Sequence, residues 1–355
     1  MGVTDNFGCC GVMIRPAMAV TMMDIARDLN VSVVTVSKVL RSQGRISAAT
    51  RKRVLRRAKE LHYQMNWVAR SLVTRRTYTI GLLLPEFTHP FFAEIARAVA
   101  QTVRPHGYHV IISYFEEDPE LEVSEADSLL ARQVDGLIIA SAQPVHCLDL
   151  FQRIQTRSVP FVLIDRPIAG LQASFVGVDN YAIGRLATEH LIARGCCRIG
   201  HLRGPEVGIA AERFEGYRRA LVKRGLRVQA RYVVAGGHGD EAGYEGMRRL
   251  LRVRPILDGV FCYSDPVAIG AIKAILEAGL KVPHDVSVVG AGNVHYSDLL
   301  AVPLTTVDQG ACQMGARAAE LLMERILLKR PARPKKILIS PKLVERESTR
   351  RNLRS

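Results

Sequence analysis

The chain has 355 residues, 48% hydrophobic and 23% charged, with a formal net charge of +15. Such a length fits two or three domains, the apolar content excludes a disordered chain, and no apolar run approaches the roughly 18 residues that an apolar membrane helix needs. Seven Cys, odd in number and without CxxC or Cys/His spacing, argue against a zinc site and fit reduced thiols in a cytoplasmic protein.

The positive charge is unevenly placed. Residues 1–76 carry 14 Lys+Arg against 4 Asp+Glu, whereas the remaining 279 carry 35 against 30. Two thirds of the excess therefore sits at one end, a distribution that suits a polyanion such as nucleic acid, the alternative being a solvated basic tail. Residues 1–20 lack a cationic start followed by an apolar core and make a poor secretory signal. They read as an N-terminal extension, with Met18 or Met22 as the candidate start.

From residue 21 the periodicity predicts three short helices. Thr21 can cap MMDIARDLN, where Asp24 complements the positive helix start and Met22, Ile25, Ala26 and Leu29 share a face. Asn30 suits the tight turn that follows. The next stretch, VSVVTVSKVL, alternates like a strand, but its neighbours are helical and Ser32 is a good N-cap. Read as a helix, it groups Val36, Val39 and Leu40 on one side and Val34 and Lys38 on the other, with Thr35 and Ser37 flanking and Val33 at the border. The cost of its β-branched residues, about half a kcal/mol each against Ala, is tolerable. A third helix, capped by Ser47, places Val54, Leu55, Ala58 and Leu61 on its apolar face. The three make a helix-turn-helix unit.

Over residues 20–72 the run VTMMDIARDLNVSVVTVSKVLRSQGRISAATRKRVLRRAKELHYQMNWVARSL resembles the DNA-binding headpiece of the lac repressor and purine repressor family of transcriptional regulators. The resemblance implies that the second helix enters the major groove, with Val33, Val34 and Lys38 facing base edges. Lys38 would donate to guanine and the two valines would touch thymine methyls. Ser32, Thr35, Ser37 and Thr21, at the head of the first helix, would hold phosphates. It further implies that residues 66–74, too short to be a stable helix alone, form a hinge helix that pairs with its dimer mate in the minor groove. There Leu72 is the wedge, Ala69 permits close approach and Asn66 caps. Met65 stands where the family has Pro.

Beyond Tyr78 short β runs alternate with helical stretches. TIGLLLP, HVIISYF, DGLIIAS and PFVLID form one series, and FVGVDN, RIGHLRG, YVVAGG, GVFCYSD and VSVVGAG a second. Such alternation predicts parallel sheets in two α/β lobes with a ligand between them at the carboxyl ends of the strands. The landmarks HPFFAEI, DRP, VGVDNYAIGRLATEHL, RFEGY, AIGAIKAILEAGLKVPHDVSVVG and LTTVDQ resemble the periplasmic sugar-binding-protein fold over residues 78–345. By that resemblance Phe91 and Phe92 enclose an effector ring, while His89, Asp165, Arg166, Arg213, Asp265 and Gln309 supply polar contacts. His89 replaces the family's usual Asn or Asp. Ala291-Gly292-Asn293 replaces aromatic-Asp-Asp/Asn and so lacks a carboxylate that contacts sugar hydroxyls.

The expected fold is thus an all-α helix-turn-helix headpiece with a hinge helix, joined to a two-lobed α/β parallel-sheet domain. Its expected parts are the extension at 1–20, the headpiece at 21–65, hinge and linker at 66–77, the effector-binding and dimerisation domain at 78–345 and a basic tail at 346–355. The expected function is a dimeric repressor that binds a near-palindromic double-stranded DNA operator under control of a small-molecule effector, a sugar or related metabolite. It would act in the cytoplasm with no membrane partner, no cofactor and no metal. No GxxxxGK[ST], GxSxG or HExxH is present, so no catalytic residue is assigned. The rivals are a DNA-tethered α/β enzyme and an effector-independent DNA-binding protein. The closing segment PKLVERESTRRNLRS is too short and too basic for a tetramerising leucine heptad.

Overall fold

The computed structural model describes residues 20–40, 44–64, 71, 74–144, 147–205, 208–235, 237–328 and 333–350. Its two compact units are residues 1–75 and 76–355.

The first unit contains α1 (Met22–Leu29), α2 (Val33–Leu40) and α3 (Ala48–Glu60). The local signals act as anticipated. The Asp24 carboxylate accepts from both Thr21 N (2.9 Å) and Thr21 Oγ1 (2.7 Å). Asn30 turns the chain in a left-handed conformation at φ 52°. Ser32 Oγ accepts from Thr35 N at 3.1 Å, and Ser47 Oγ from Thr50 N at 3.2 Å, so each hydroxyl caps a helix. Ile25, Ala26, Val36, Val39, Val54 and Ala58 form the buried core. Arg57 reinforces it by donating through Nε and Nη2 to the Asp28 carboxylate, tying α3 to α1. Leu55 departs from expectation: it is 48% exposed. One helical step of about 100° carries it off the face that Val54 and Ala58 present to α1 and α2.

The second unit runs β1 (Thr79–Leu84), α4 (Pro90–Val103), β2 (His109–Tyr114), α5 (Pro119–Ala131), β3 (Gly136–Ile139), α6 (Asp149–Thr156), β4 (Phe161–Ile164) and β5 (Ser174–Val178). It continues with α7 (Asn180–Ala193), β6 (Ile199–Arg203), α8 (Gly208–Lys223), β7 (Val233–Ala235), α9 (Asp240–Leu251), β8 (Gly259–Cys262), α10 (Asp265–Glu277), β9 (Ser287–Gly292) and β10 (Thr305–Asp308). It closes with α11 (Ala311–Leu327), β11 (Lys336–Ile339) and β12 (Lys342–Val344). The strands order as β2-β1-β3-β4-β5-β11 and β7-β6-β8-β9-β10-β12, the same topology twice. All pairings are parallel except β10 with β12. Helices cover both faces, so the strands are continuous apolar runs such as IGLLL in β1.

Three findings correct the strand reading. The FVGVDN run, placed in the second series, forms β5 and pairs with β4 and β11 in the first sheet. β11 and β12 come from the end of the chain, one to each sheet. The chain therefore crosses between lobes three times, after β5, after β10 and between β11 and β12. The domain also extends past 345: Ser348 and Thr349 are fully buried. Ser348 Oγ donates to Val288 O (2.6 Å) and accepts from Thr305 N (2.8 Å), while Arg346 donates to Leu304 O and Asn293 Oδ1. Residues 346–350 thus belong to the second lobe rather than to a free tail.

Candidate nucleic-acid interface and effector cleft

In the headpiece, the division of valines foreseen on α2 is realised. Val36 and Val39 are buried, whereas Val33 is 39% and Val34 60% exposed. Lys38 is exposed one turn beyond Val34, its aliphatic stem lying against Gly44. Two bare β-branched side chains beside a cation, at the start of a helix, are costly to leave in water and suited to a groove with methyl groups and acceptors. Ser32 is exposed and Thr35 and Ser37 half-buried, with Ser32 Oγ 2.8 Å from Thr35 Oγ1. Asn66, Ala69 and Leu72 lie outside the described residues.

In the second unit, loops at the carboxyl ends of the strands of both lobes converge on one cleft, as the doubly wound topology requires. Its inner pocket is lined by His89 after β1, Glu117 after β2, Asp165 and Arg166 after β4, Tyr263 and Ser264 after β8, and Gln309 after β10. Phe91 and Phe92, in the first turn of α4, form one wall, and Arg213 and Ile209 of α8 enter from the second lobe. Seven of the eight sequence-assigned effector residues therefore meet. The exception is Asp265. It is buried, lines no cleft, and uses both carboxylate oxygens inside the second lobe, accepting from Thr306 Oγ1 (2.5 Å), Ser297 Oγ (3.0 Å) and Val294 N (3.0 Å). Burial raises its pKa and these hydrogen bonds oppose the rise. The structure therefore sets Asp265 apart from the other seven, with its carboxylate bonded within the second lobe.

Arg213 is fully engaged. Its Nε donates to Asn180 Oδ1 (2.9 Å), Nη1 to Tyr263 O (2.6 Å) and Nη2 to Gln309 Oε1 (2.7 Å), and its guanidinium lies 4.7 Å from the Tyr263 ring centroid. Asn180 and Gln309 stand at two of the three crossings between lobes, so this side chain links the cleft to those crossings. Two glycines make the placement possible: a Cβ on Gly184 of α7 would lie 1.9 Å from Arg213 O, and one on Gly216 2.2 Å from Tyr181 O. Only bare backbone lets α7 and α8 approach so closely.

Arg166 donates both Nη groups to Glu117 (2.5 and 2.6 Å), a bidentate pair. Burial alone would depress its pKa, but the Glu117 bonds and the neighbouring Asp165 charge raise it overall. Burial also raises the pKa of Asp165, against the pull of Arg166 and Arg213. His89 caps α4, its Nδ1 accepting from Phe91 N at 3.2 Å. Burial, with help from His238 and Arg213, pushes its pKa down to about 4. The imidazole is neutral at physiological pH, and because Nδ1 accepts, its proton is on Nε2, making His89 a donor. Two buried groups of the pocket, Arg166 Nε and Ser264 Oγ, have no hydrogen-bond partner among the described residues, although Arg166 Nε lies 3.6 Å from Asp165 Oδ2. Two guanidiniums, Arg166 and Arg213, face three carboxylates, Glu86, Glu117 and Asp165. The pocket offers donors without surplus positive charge.

Sequence reasoning missed Glu117, His238, Tyr263 and Ser264. His238 Nε2 of the second lobe approaches Glu117 Oε1 of the first at 3.8 Å. Glu117 and His238 sit in segments that read as ordinary polar loops and Tyr263 and Ser264 at the end of the GVFCYSD run, and only the convergence of strand ends brings them together.

A helix-turn-helix unit with an exposed reading face, carried on one chain with a two-lobed binding domain, defines a ligand-regulated DNA-binding protein. Residues 21–66 match the bacterial regulatory proteins of the lacI family, and residues 188–349 the periplasmic binding protein-like domain. A ribose operon repressor of Halalkalibacterium halodurans is 37% identical over 331 residues, covering 93% of this chain and 97% of the relative. The HTH-type transcriptional repressor PurR of Actinobacillus pleuropneumoniae is 33% identical over 332 residues, covering 93% and 98%. Among solved structures, a lac repressor dimer bound to operator and the anti-inducer ONPF superposes with a TM-score of 0.81 at 26% identity, covering 93% of this chain and 99% of that one. A transcriptional regulator CelR–cellobiose complex gives 0.70 at 31%, with the same coverage. The chain belongs to the lacI family and is a DNA-binding transcriptional regulator, not an enzyme.

Proposed function

We propose that the protein is a dimeric, cytoplasmic repressor that reads a near-palindromic operator through Val33, Val34 and Lys38. A neutral, oxygen-rich metabolite of the sugar class, held in the interlobe cleft, controls it. The observation that carries this reading is the pairing of an exposed apolar and cationic face on α2 with a buried, donor-rich and charge-balanced pocket. An anionic effector would meet three carboxylates, Glu86, Glu117 and Asp165, against two guanidiniums; a polyol can use Arg166 Nε, Ser264 Oγ and His89 Nε2 at little electrostatic cost. The ribose operon relative and the cellobiose complex support the same class.

Association as a dimer is supported by large apolar side chains left exposed on both lobes: Ile112 and Tyr114 on the edge strand β2, Leu276 at the end of α10 and Leu299. Hinge-helix insertion by Leu72, with Ala69 and Asn66, completes the proposal. Arg213 is the natural relay: a ligand drawn against it acts on Asn180 and Gln309, and so on the crossings that set lobe closure.

The test is selection of bound sites from a random DNA pool, with and without candidate sugars. Palindromic sites with thymine opposite the valines, and a shift towards adenine in Val34→Gln, are expected. Sites without symmetry, or selection indifferent to Val34→Gln and to every sugar, would reject the reading.

A further inference from the structure

The chain enters the effector domain at Arg76, the first residue of the second unit, and the residues that follow are held from two sides. The Asp135 carboxylate, directly before β3, accepts from Thr77 N (2.9 Å) and Thr77 Oγ1 (3.2 Å) through Oδ1 and from Tyr78 N (3.1 Å) through Oδ2. Asp135 N in turn donates to Thr79 O at 2.8 Å. Tyr78 sits at φ 55° with its ring centroid 5.3 Å from that of Tyr108. A bulky residue stays in that left-handed conformation only where its surroundings over-determine it, and here Asp135 and Tyr108 do so. Arg76 completes the attachment: its Nη2 donates to Ile326 O (2.9 Å), in the last turn of α11, where carbonyls lack partners within the helix and carry its negative end.

The other end of α11 meets the cleft. Gln309, whose Oε1 accepts from Arg213, is followed by Gly310, left-handed at φ 67°, which opens the helix. The 17 residues of α11 then span about 25 Å, so one continuous helix runs from the crossing after β10 to the carbonyl that Arg76 grips. Its contact with α4 is bare at Gly315: a Cβ there would lie 2.5 Å from Ile95 O and 3.0 Å from Ala98 Cβ. Towards the far end, a Cβ on Gly136, the residue after Asp135, would lie 2.8 Å from Leu322 Cδ1 and 3.1 Å from Ile326 Cδ1. Bare backbone on one side of each contact leaves no interlocked side chain to fix the register, which is what a sliding displacement of packed elements needs.

We propose that α11 is the rod that joins the state of the cleft to the hinge. A displacement at Gln309 slides α11 along α4, and Arg76 at its far end, with Asp135 holding Thr77 and Tyr78, passes that displacement to the chain leading into residues 66–74. Arg76 and Asp135 are positioning residues, acting through the helix end and the backbone they hold. Arg213 also donates to Asn180, but the helix that begins there, α7, packs on α8 in the second lobe and does not lead to residue 76. The inference rests on residues 66–74 forming the hinge helix.

Hydrogen exchange of the full-length protein, bound to the duplex recovered by selection, tests it through a double-mutant cycle read on peptides spanning residues 66–74. The duplex should first slow exchange there; no protection would remove the hinge reading, and the inference with it. In the complex, Gln309→Met should change the 66–74 rate by about threefold or more, and Arg76→Met or Asp135→Asn should each abolish that change, leaving the double variant within about 1.5-fold of the corresponding single. Effects that multiply would overturn the rod while leaving the hinge reading intact, as would a protected hinge indifferent to Gln309→Met. A loss of the response in Arg76→Met but not in Asp135→Asn would make Arg76 a DNA contact and overturn its role as an anchor. Arg76→Lys, which keeps a donor for Ile326 O, should preserve the response to Gln309→Met. It and Asp135→Asn carry the cycle if Arg76→Met fails to fold.

Discussion

The headpiece and the cleft handle charge in opposite ways. On α2 and α3 the cations stand in water: Lys38 and all six of the basic residues Arg51, Lys52, Arg53, Arg56, Arg57 and Lys59 are exposed or only half-covered around a core of six small buried side chains. In the cleft Arg166, Arg213 and Asp165 are buried, and each guanidinium is matched to fixed acceptors. An exposed array suits a long polyanion, because its energy comes from displacing counterions and needs no single geometry. A buried, pre-paired set suits one small neutral molecule, because its donors are fixed before the ligand arrives.

Salt should separate the two regions most strongly. Raising it from 50 to 200 mM should weaken operator binding by about 10³–10⁵-fold, whereas titration of a sugar effector should change by less than about twofold; equal sensitivity would break the comparison. Next in size is Arg213→Met, which strands Asn180 Oδ1, Tyr263 O and Gln309 Oε1. Denaturant melts should show the effector domain destabilised, each stranded buried acceptor costing about 1–3 kcal/mol, with the effector response lost and headpiece binding to DNA retained.

Acid should also act on one region. His89 and His201 have pKa values lowered to about 4 and about 3 by burial. His201, stacked on Phe261 and bonded through Nδ1 to Phe261 O at 2.9 Å, leaves Nε2 without a hydrogen-bond partner among the described residues. Because the folded values lie below the unfolded value near 6.5, the neutral forms stabilise the fold fully above that pH and the contribution is lost as pH falls towards 4. Between pH 7.5 and 5 each should cost the effector domain about 2 kcal/mol. His89→Asn should remove its share in chemical denaturation at the two pH values; an unchanged slope would show that His89 is not held neutral. The smallest effect expected is that of Lys38→Ala, a loss of about 1–3 kcal/mol confined to one operator base pair. Uniform weakening across sites would make Lys38 a phosphate contact and sharpen the headpiece into a purely electrostatic surface.

What could be read from the chain follows how local each feature is. Thr21 with Asp24, Asn30, Ser32 and Ser47 act on neighbours within three residues, and the structure uses all of them as the sequence suggests. Val33 and Val34 were separable from Val36 and Val39 because a helix of eight residues has one period. Leu55 was misjudged because the width of the buried stripe is set by α1 and α2, not by α3.

Nine strands were legible as apolar runs, and eight of them fall in the sheet that their series predicted; β5 does not. β5 and β11 enter the first lobe, and residues 346–350 the second, through pairings across long stretches of sequence. The placement of Asp265 was illegible for the same reason: a buried carboxylate that anchors Val294, Ser297 and Thr306 is indistinguishable in sequence from one that meets a ligand. The amino acids by themselves determined the basic reading helix, the alternation of strands and helices, and half of the inner pocket's polar residues, since periodicity and capping are short-range. Tertiary structure alone decided the three crossings and the Glu117–His238 contact across the cleft, since these exist only where distant strand ends converge.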